Sequence, residues 1–388
     1  MKCNFSKVGI FIKTIFKMKK RTAFIGSILY LTRLVHPILI KTGLILTTTG
    51  LILSFQENLY ARDDSFYFNR AIKKVEKRDY DGAISDFTKA IEINPNDSDT
   101  FHNRGVAKEN LNQCIKAITD YLRAIEIKSD RFTSYFGVGS CKGKLGDQKA
   151  AISAYTKAIE INPLYGNAYY NRGNSKYELK DYEGAISDFT KVIEINPNDS
   201  DAFHNRGVAK ENLNQCNKAI TDYLRAIEIK SDRTSSYFGI GSCKGKSGDE
   251  KAAISAYTKA IEINRNDADL YFNRGLAKFN LGDYDGAISD YSKSIEINPN
   301  NVGSYQNRGV AKVNLGDYDG AISDYSKLIE INPNNADLYF NRSQTKYMLG
   351  DIQGSCSDLK EAASLGDEDS KKILSSSDGI EICGNFKN

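Results

Sequence analysis

The sequence predicts an all-α fold, an α-solenoid of nine stacked helix pairs. Three observations carry that expectation. The segment AISDFTKAIEINP, beginning at Ala83, returns at Ala117, Ala151, Ala185, Ala219, Ala253, Ala287 and Ala321, and in degraded form at Ser355. Each step is 34 residues without insertion or deletion, and Pro95, Pro163, Pro197, Pro299 and Pro333 keep the same register. Within a unit, small and apolar residues recur three and four apart, the spacing of a helix face. One such pair cannot bury its apolar face alone, so neighbours must stack to complete a core.

Positions are numbered from Asp64, so that repeat one covers 64–97. The first helix carries an aromatic residue at position 4 in every repeat: Tyr67, Phe101, Tyr135, Tyr169, Phe203, Tyr237, Tyr271, Tyr305 and Tyr339. Position 8 is always Gly, Ala or Ser. A central Gly-Asp pair supplies a left-handed helix end and then an N-cap for the second helix. The second helix carries Ala at position 20 until Ser355, and Phe or Tyr at position 24 until Leu359. Proline then stops it. A longer period lies on top: residues 83–162 and 185–264 differ at only eight positions, the mark of a tandem copy of three repeats.

The stretch GIGSCKGKS, residues 239–247, invites a phosphate-loop reading. The spacing refuses it, because the motif needs a glycine separated by four residues from Gly245-Lys246, and that place is Ile240. Its near copy GVGSCKGKL, residues 137–145, ends on Leu145 instead of serine. Both read as first helices, of repeats six and three, weakened by glycine at roughly 1 kcal/mol each.

The 34-residue period with aromatic, small, alanine and proline positions resembles the tetratricopeptide repeat (TPR) family over about residues 64–369. The resemblance implies a right-handed superhelix whose first helices line a concave face. It also turns position 7 toward the second helix of the same unit. Here position 7 is arginine in seven repeats: Arg70, Arg104, Arg172, Arg206, Arg274, Arg308 and Arg342. Position 23 offers Asp86, Asp120, Asp188, Asp222, Asp290, Asp324 and Asp358. In repeats three and six the arginine becomes Val138 and Ile240, and the aspartate becomes Ala154 and Ala256. Charges that appear and vanish together are expected to form an ion pair inside each unit, since a lone buried charge is costly. Position 11 is lysine throughout, from Lys74 to Lys346. Two readings stand: a stem over apolar surface with its amine in water, or a cationic stripe.

The resemblance points positions 2, 5, 6, 9, 12 and 13 into the groove. Position 6 is Asn69, Asn103, Asn171, Asn205, Asn273, Asn307 and Asn341, interrupted by Gly137 and Gly239. An amide offers donors and an acceptor to peptide backbone of any sequence. A similar asparagine ladder lines the superhelix of protein O-linked N-acetylglucosamine transferase, where it holds extended peptide. Position 5 is mostly aromatic or histidine, with Phe68, Tyr170, Phe272 and Phe340 as candidate peptide contacts. The competing reading has both positions bracing the neighbouring repeat. The chaperone-tail type of TPR groove, which grips a carboxylate with cations at position 2, is disfavoured by Asp99, Asp201, Asp269 and Asp337.

Residues 1–61 form a distinct leader with nine Lys or Arg against Glu57. Removing them from the chain's 53 basic and 49 acidic residues leaves 44 and 48, so the repeats are anionic although the chain is +4. The excess positive charge therefore gives no support to a nucleic-acid partner. KMKKR followed by apolar stretches reads as an export signal or an uncleaved membrane anchor. Met18 is an alternative start, and without a targeting role the chain is cytoplasmic. Beyond the leader six cysteines fall into pairs 27 apart: Cys114 with Cys141, Cys216 with Cys243, Cys356 with Cys383. They are candidate disulfides of an oxidising compartment, against a plain reading as small core residues. No Cys or His spacing suits a metal, no histidine joins a nucleophile and acid, and no cofactor is expected. The expected organisation is leader 1–61, repeats 62–369 and capping tail 370–388. The expected function is a non-catalytic scaffold holding a protein or extended peptide. The alternatives are an accessory subunit of a membrane-complex assembly or enzyme system, with a site built at the notches of Gly137 and Gly239, or a self-associating array.

Overall fold

The computed structural model describes residues 64–384, and all regular structure among them is helical. The leader, with its export and anchor readings, lies outside the described residues, and so does the end of the tail beyond Gly384. Repeat one pairs helix 64–76 with Tyr80–Ile93. The following repeats pair Ser98–Asn110 with Cys114–Ile127, Phe132–Lys144 with Gln148–Ile161, Gly166–Glu178 with Tyr182–Ile195, and Ser200–Asn212 with Cys216–Ile229. Then come Thr234–Lys246 with Glu250–Ile263, Ala268–Asn280 with Tyr284–Ile297, Val302–Leu315 with Tyr318–Ile331, and Ala336–Leu349 with Ile352–Ser364. Two short helices, Glu368–Ser375 and Ser377–Gly384, form the tail. The phosphate-loop look-alike at 239–247 lies almost wholly within Thr234–Lys246, which leaves it no loop to cradle a phosphate.

The residues divide into two compact units at Gly137/Val138, inside the first helix of repeat three. In both, the turn between paired helices places position 15 in left-handed backbone. Glycine serves there from repeat six onward and at Gly146, whereas Arg78, Asn112, Lys180 and Asn214 adopt the same conformation at φ of 57–62°. The following aspartate caps the second helix, as where Asp283 accepts from the Gly286 amide at 3.0 Å. Gln113 and Gln215 replace that aspartate in the copied repeats and make no such bond.

The core is assembled from positions 8, 20 and 24. Position-20 alanines from Ala83 to Ala321 are fully buried, and position-24 rings such as Phe87, Tyr223 and Tyr291 are almost as inaccessible. Small residues at position 8 are needed because the ring lies on their backbone: a Cβ built on Gly207 would stand 2.8 Å from the Tyr223 ring. Within each unit, second helices pack on their own first helix and on the first helix of the next repeat, as Tyr182–Ile195 does on Gly166–Glu178 and on Ser200–Asn212. In the unit 138–388, the first helices of repeats five to eight also touch one another directly. Their convergence marks the inner face of that stack.

Candidate peptide-binding groove

All seven position-7 arginines reach the aspartate sixteen residues on. The Nη2 to Oδ1 distances run from 2.5 Å at Arg70–Asp86 to 2.8 Å at Arg206–Asp222 and Arg342–Asp358. The Nε atom donates to the other oxygen, at 2.9 Å in Arg206–Asp222, so the pairs are bidentate. The guanidinium also lies over the position-4 ring, with Arg206 5.4 Å from the Phe203 centroid. The hydrogen bond from Arg70, above the effect of burial, holds the Asp86 carboxyl down at about 2.

Two features of this lattice were not legible in the sequence. The remaining Nη1 donates to a position-25 hydroxyl of the preceding repeat, as Arg206 to Thr190 at 3.1 Å and Arg308 to Ser292 at 2.9 Å. The ion pair therefore ties repeats together as well as closing each one. The position-11 lysine supplies the aspartate's second cation, at 2.6 Å in Lys210–Asp222 and 2.8 Å in Lys346–Asp358. Both readings of that lysine, amine in water and cationic stripe, are thus corrected: Lys210 stands one helical turn after Arg206 on the same face, so its amine reaches the Asp222 oxygen that the arginine Nε also uses. Where the aspartate is absent, the lysine turns to a cap, as Lys244 to Asp249 at 3.0 Å.

The amide ladder is unevenly committed. Asn171 and Asn273 donate to the carbonyl four residues back in their own helices, at 2.9 and 2.7 Å. Asn103 does the same with Asp99 at 2.8 Å. Each uses one N–H and leaves the second N–H and the Oδ1 acceptor available. Asn69, Asn307 and Asn341 carry no side-chain bond of their own among the described residues. Asn205 is different. It donates to the Tyr170 hydroxyl at 2.9 Å and to Asn174 at 3.2 Å, bracing repeats four and five. Its place in an open ladder is corrected to a brace, because Tyr170 is the one position-5 ring with a hydroxyl.

The position-5 rings pack edge-on or tilted against position 24 of their own repeat. Phe68 stands 5.7 Å from Phe87, Tyr170 5.8 Å from Phe189, and Phe272 5.9 Å from Tyr291. Phe340 faces Leu359, the only aliphatic residue at position 24, across a cleft at the end of the stack. These rings are half-buried, so each keeps part of its surface open. His204 occupies the same site against Tyr223, with its Nδ1 2.9 Å from the Ser236 hydroxyl. Burial, reinforced by Arg233, lowers its imidazole to about 4.

The gap in the ladder at Gly239 is filled. The Tyr223 ring lies where a side chain would stand, and a Cβ there would be 2.5 Å from it. Its hydroxyl donates to Glu211 at 2.8 Å, which also accepts from Ser242 at 2.7 Å and Lys246 at 2.8 Å. Burial alone would raise the Glu211 carboxyl, but these three donors hold it below its ordinary value. A site built on an empty notch loses its geometry here. Gly137 meets the Tyr121 ring in the same way, at 2.5 Å.

Of the three candidate disulfides, Cys356–Cys383 is formed, with Cα atoms 5.4 Å apart. Cys114, Cys141, Cys216 and Cys243 are thiols, which corrects that expectation. Cys243 is fully buried in a cluster with Ala219, Tyr223 and Ile240, where sulfur serves as a small apolar filler. No group of three potential metal ligands exists among the described residues, and no described helix is long and apolar enough to cross a membrane.

Tetratricopeptide repeat models match residues 65–97, 87–119, 132–163, 166–199, 189–221, 268–301 and 291–323, and a further TPR repeat model matches 246–282 and 311–350. The chain belongs to the tetratricopeptide repeat family, whose stacked helix pairs serve as protein-interaction scaffolds. No curated protein matches it. Among solved structures it is similar to the C-terminal part of a TPR protein from Cytophaga hutchinsonii, at 23% identity and TM-score 0.54, over 64% of this chain and 98% of that one. A TPR protein from Parabacteroides merdae aligns at 19% identity and TM-score 0.48, over 64% and 99%. YrrB, described as a TPR protein with an unusual peptide-binding site, aligns at 24% and TM-score 0.43, over 47% and 95%. The first of these likenesses reproduces the fold.

Proposed function

We propose that this chain holds an extended segment of a partner protein along the first helices of repeats seven to nine, without performing chemistry on it. One observation carries the reading: at intervals of 34 residues, Asn307 and Asn341 carry no side-chain bond among the described residues and Asn273 keeps one N–H and its acceptor, and the first helices of repeats seven and eight touch. An extended strand exposes alternating N–H and C=O groups that such amides match without regard to side chains. The inter-repeat lattice of arginine, aspartate, lysine and hydroxyl keeps the helices in register, so the spacing of the amides is preset before a partner arrives. Leader 1–61 then delivers the repeats, 62–369, outside the cytoplasm or to a membrane, and the disulfide between Cys356 and Cys383 supports an oxidising destination.

The test is a random twelve-residue peptide display library panned on the full chain. Peptides should be retained by the native chain and lost when Asn273, Asn307 and Asn341 are changed together to Ala, with helicity by circular dichroism unchanged. Retention undiminished by those changes would exclude the amide groove. Sequencing the mature amino terminus tests the leader: a start near residue 62 supports cleavage, an intact leader in the membrane fraction an anchor, and an intact soluble chain overturns both.

A further inference from the structure

The groove does not end flush with the last repeat. The helix Glu368–Ser375 begins two residues before the position where a tenth repeat would start, and Asp367 caps it in the manner of the repeats. It stops after eight residues, where earlier first helices run thirteen or fourteen. The chain then breaks at Ser376 and folds back through Ser377–Gly384 to the disulfide at Cys383. A short helix cannot cover what a full one would. It leaves a mostly apolar cleft of about 490 Å³ between the last first helix and the tail.

The cleft continues the groove. Phe340, Gln344, Tyr347 and Met348, at positions 5, 9, 12 and 13 of repeat nine, line it on one side, next to Asn341 in the ladder. Ile373 and Ile382 line it from the tail. Tyr347 and Met348 are each 55% exposed, a large apolar area for two adjacent residues of one helix. Leu359 in place of the usual ring at position 24 makes the room: elsewhere that ring packs against position 5, as Tyr291 does against Phe272. The tail wall is fastened through Cys383 to Cys356 on the floor, so its place depends on a covalent bond rather than on helix packing alone.

We infer that this cleft is an anchor pocket for one large apolar side chain, aromatic or long aliphatic, of the same extended peptide that lies on the amide ladder. The inference rests on the groove reading above, and adds to it the selectivity that backbone-reading amides lack. A strand bonded to Asn307 and Asn341 runs straight into the cleft. There an apolar side chain finds the ring of Phe340 and the flexible thioether of Met348, while Gln344 in the lining remains for its backbone.

The experiment uses the same twelve-residue display library on the full chain, with four arms. Against the native chain, retained peptides should share a large apolar residue at a fixed place. Met348→Lys, at an exposed site that leaves folding untouched, should weaken those peptides by about tenfold or more. Cys383→Ser, or reduction of the native chain, should erase the apolar preference while leaving ladder binding measurable. The joint change of Asn273 and Asn307 to Ala should weaken all peptides alike. Peptides retained through the amides with no apolar preference, or indifferent to Met348→Lys, overturn the pocket and leave the groove. Dependence on Met348 without dependence on the amides overturns the groove reading and leaves an isolated pocket. A dimer seen in sedimentation of the native chain and lost in Met348→Lys would assign the cleft to a second copy and overturn the proposal.

Discussion

Repeats five and six are adjacent, share one fold and are held by opposite means. Repeat five closes through charge: Arg206 and Lys210 converge on Asp222, and the arginine reaches back to Thr190. Repeat six has Ile240 and Ala256 at the corresponding places and closes through shape. Both repeats lay the position-24 ring on the position-8 glycine, but only in repeat six does Gly239, at position 6, also let the Tyr223 ring of repeat five lie on helix backbone at a distance that no side chain would allow. The lesson is that the period demands only that the contact be filled, by a neutralised polar cluster or by a close-packed apolar one. A mixture of the two would leave a charge or a void. This is why the arginine and aspartate are lost together in repeat six.

The comparison breaks most forcefully at the charge cluster. Asp222→Ala strands two largely covered cations, each 16% exposed, and should lower stability by about 3 kcal/mol. Arg206→Ile with Lys210→Met and Asp222→Ala, which gives repeat five the apolar solution, should recover most of that loss in thermal melts. Equal losses would show that the cluster is not a closed set.

Next in size is Gly239→Val, which drives methyl groups into the Tyr223 ring and should cost about 1–3 kcal/mol. Melting of the variant beside Tyr223→Leu with Gly239→Val, where room is restored, separates the clash from a change in helix propensity.

Acid probes the same border. His204 is held near 4 in the fold, while a free imidazole titrates near 6.5. The unfolded chain therefore takes up its proton first as pH falls. Stability should be full above about 6.5, decline by a total of about 3 kcal/mol as pH falls through about 4, and show no further loss from this group below that. His204→Gln should flatten this part of the curve by its share, leaving that of His102, which is lowered in the same way.

The smallest effect has the opposite sign. A Cβ on Gly245 would meet nothing closer than 3.9 Å, so Gly245→Ala should raise stability by about 0.5–1 kcal/mol. Two glycines of one helix, Gly239 and Gly245, would thus respond in opposite directions, one needed for packing and one merely tolerated.

The array was legible from the chain alone because its cause is local and repeated. Helical spacing, a left-handed turn residue and a cap recur every 34 residues, and a pair that cannot hide its own apolar face has no option but to stack. The Arg206–Asp222 pairing was legible too, since repeats three and six delete both members at once. Folding settled the rest, because a polar group with several partners within reach chooses by distance once the helices are stacked. The position-11 lysines looked free along the chain and proved to be the second cation on each aspartate. Asn205 looked like one rung among seven and proved to be a brace, because a tyrosine hydroxyl from the previous repeat stands beside it. Cys216 and Cys243 share the 27-residue spacing of Cys356 and Cys383, yet remain thiols. One pair touches within the core beside Tyr223 and Ile240, and the other fastens a tail that has too little helix to hold itself down.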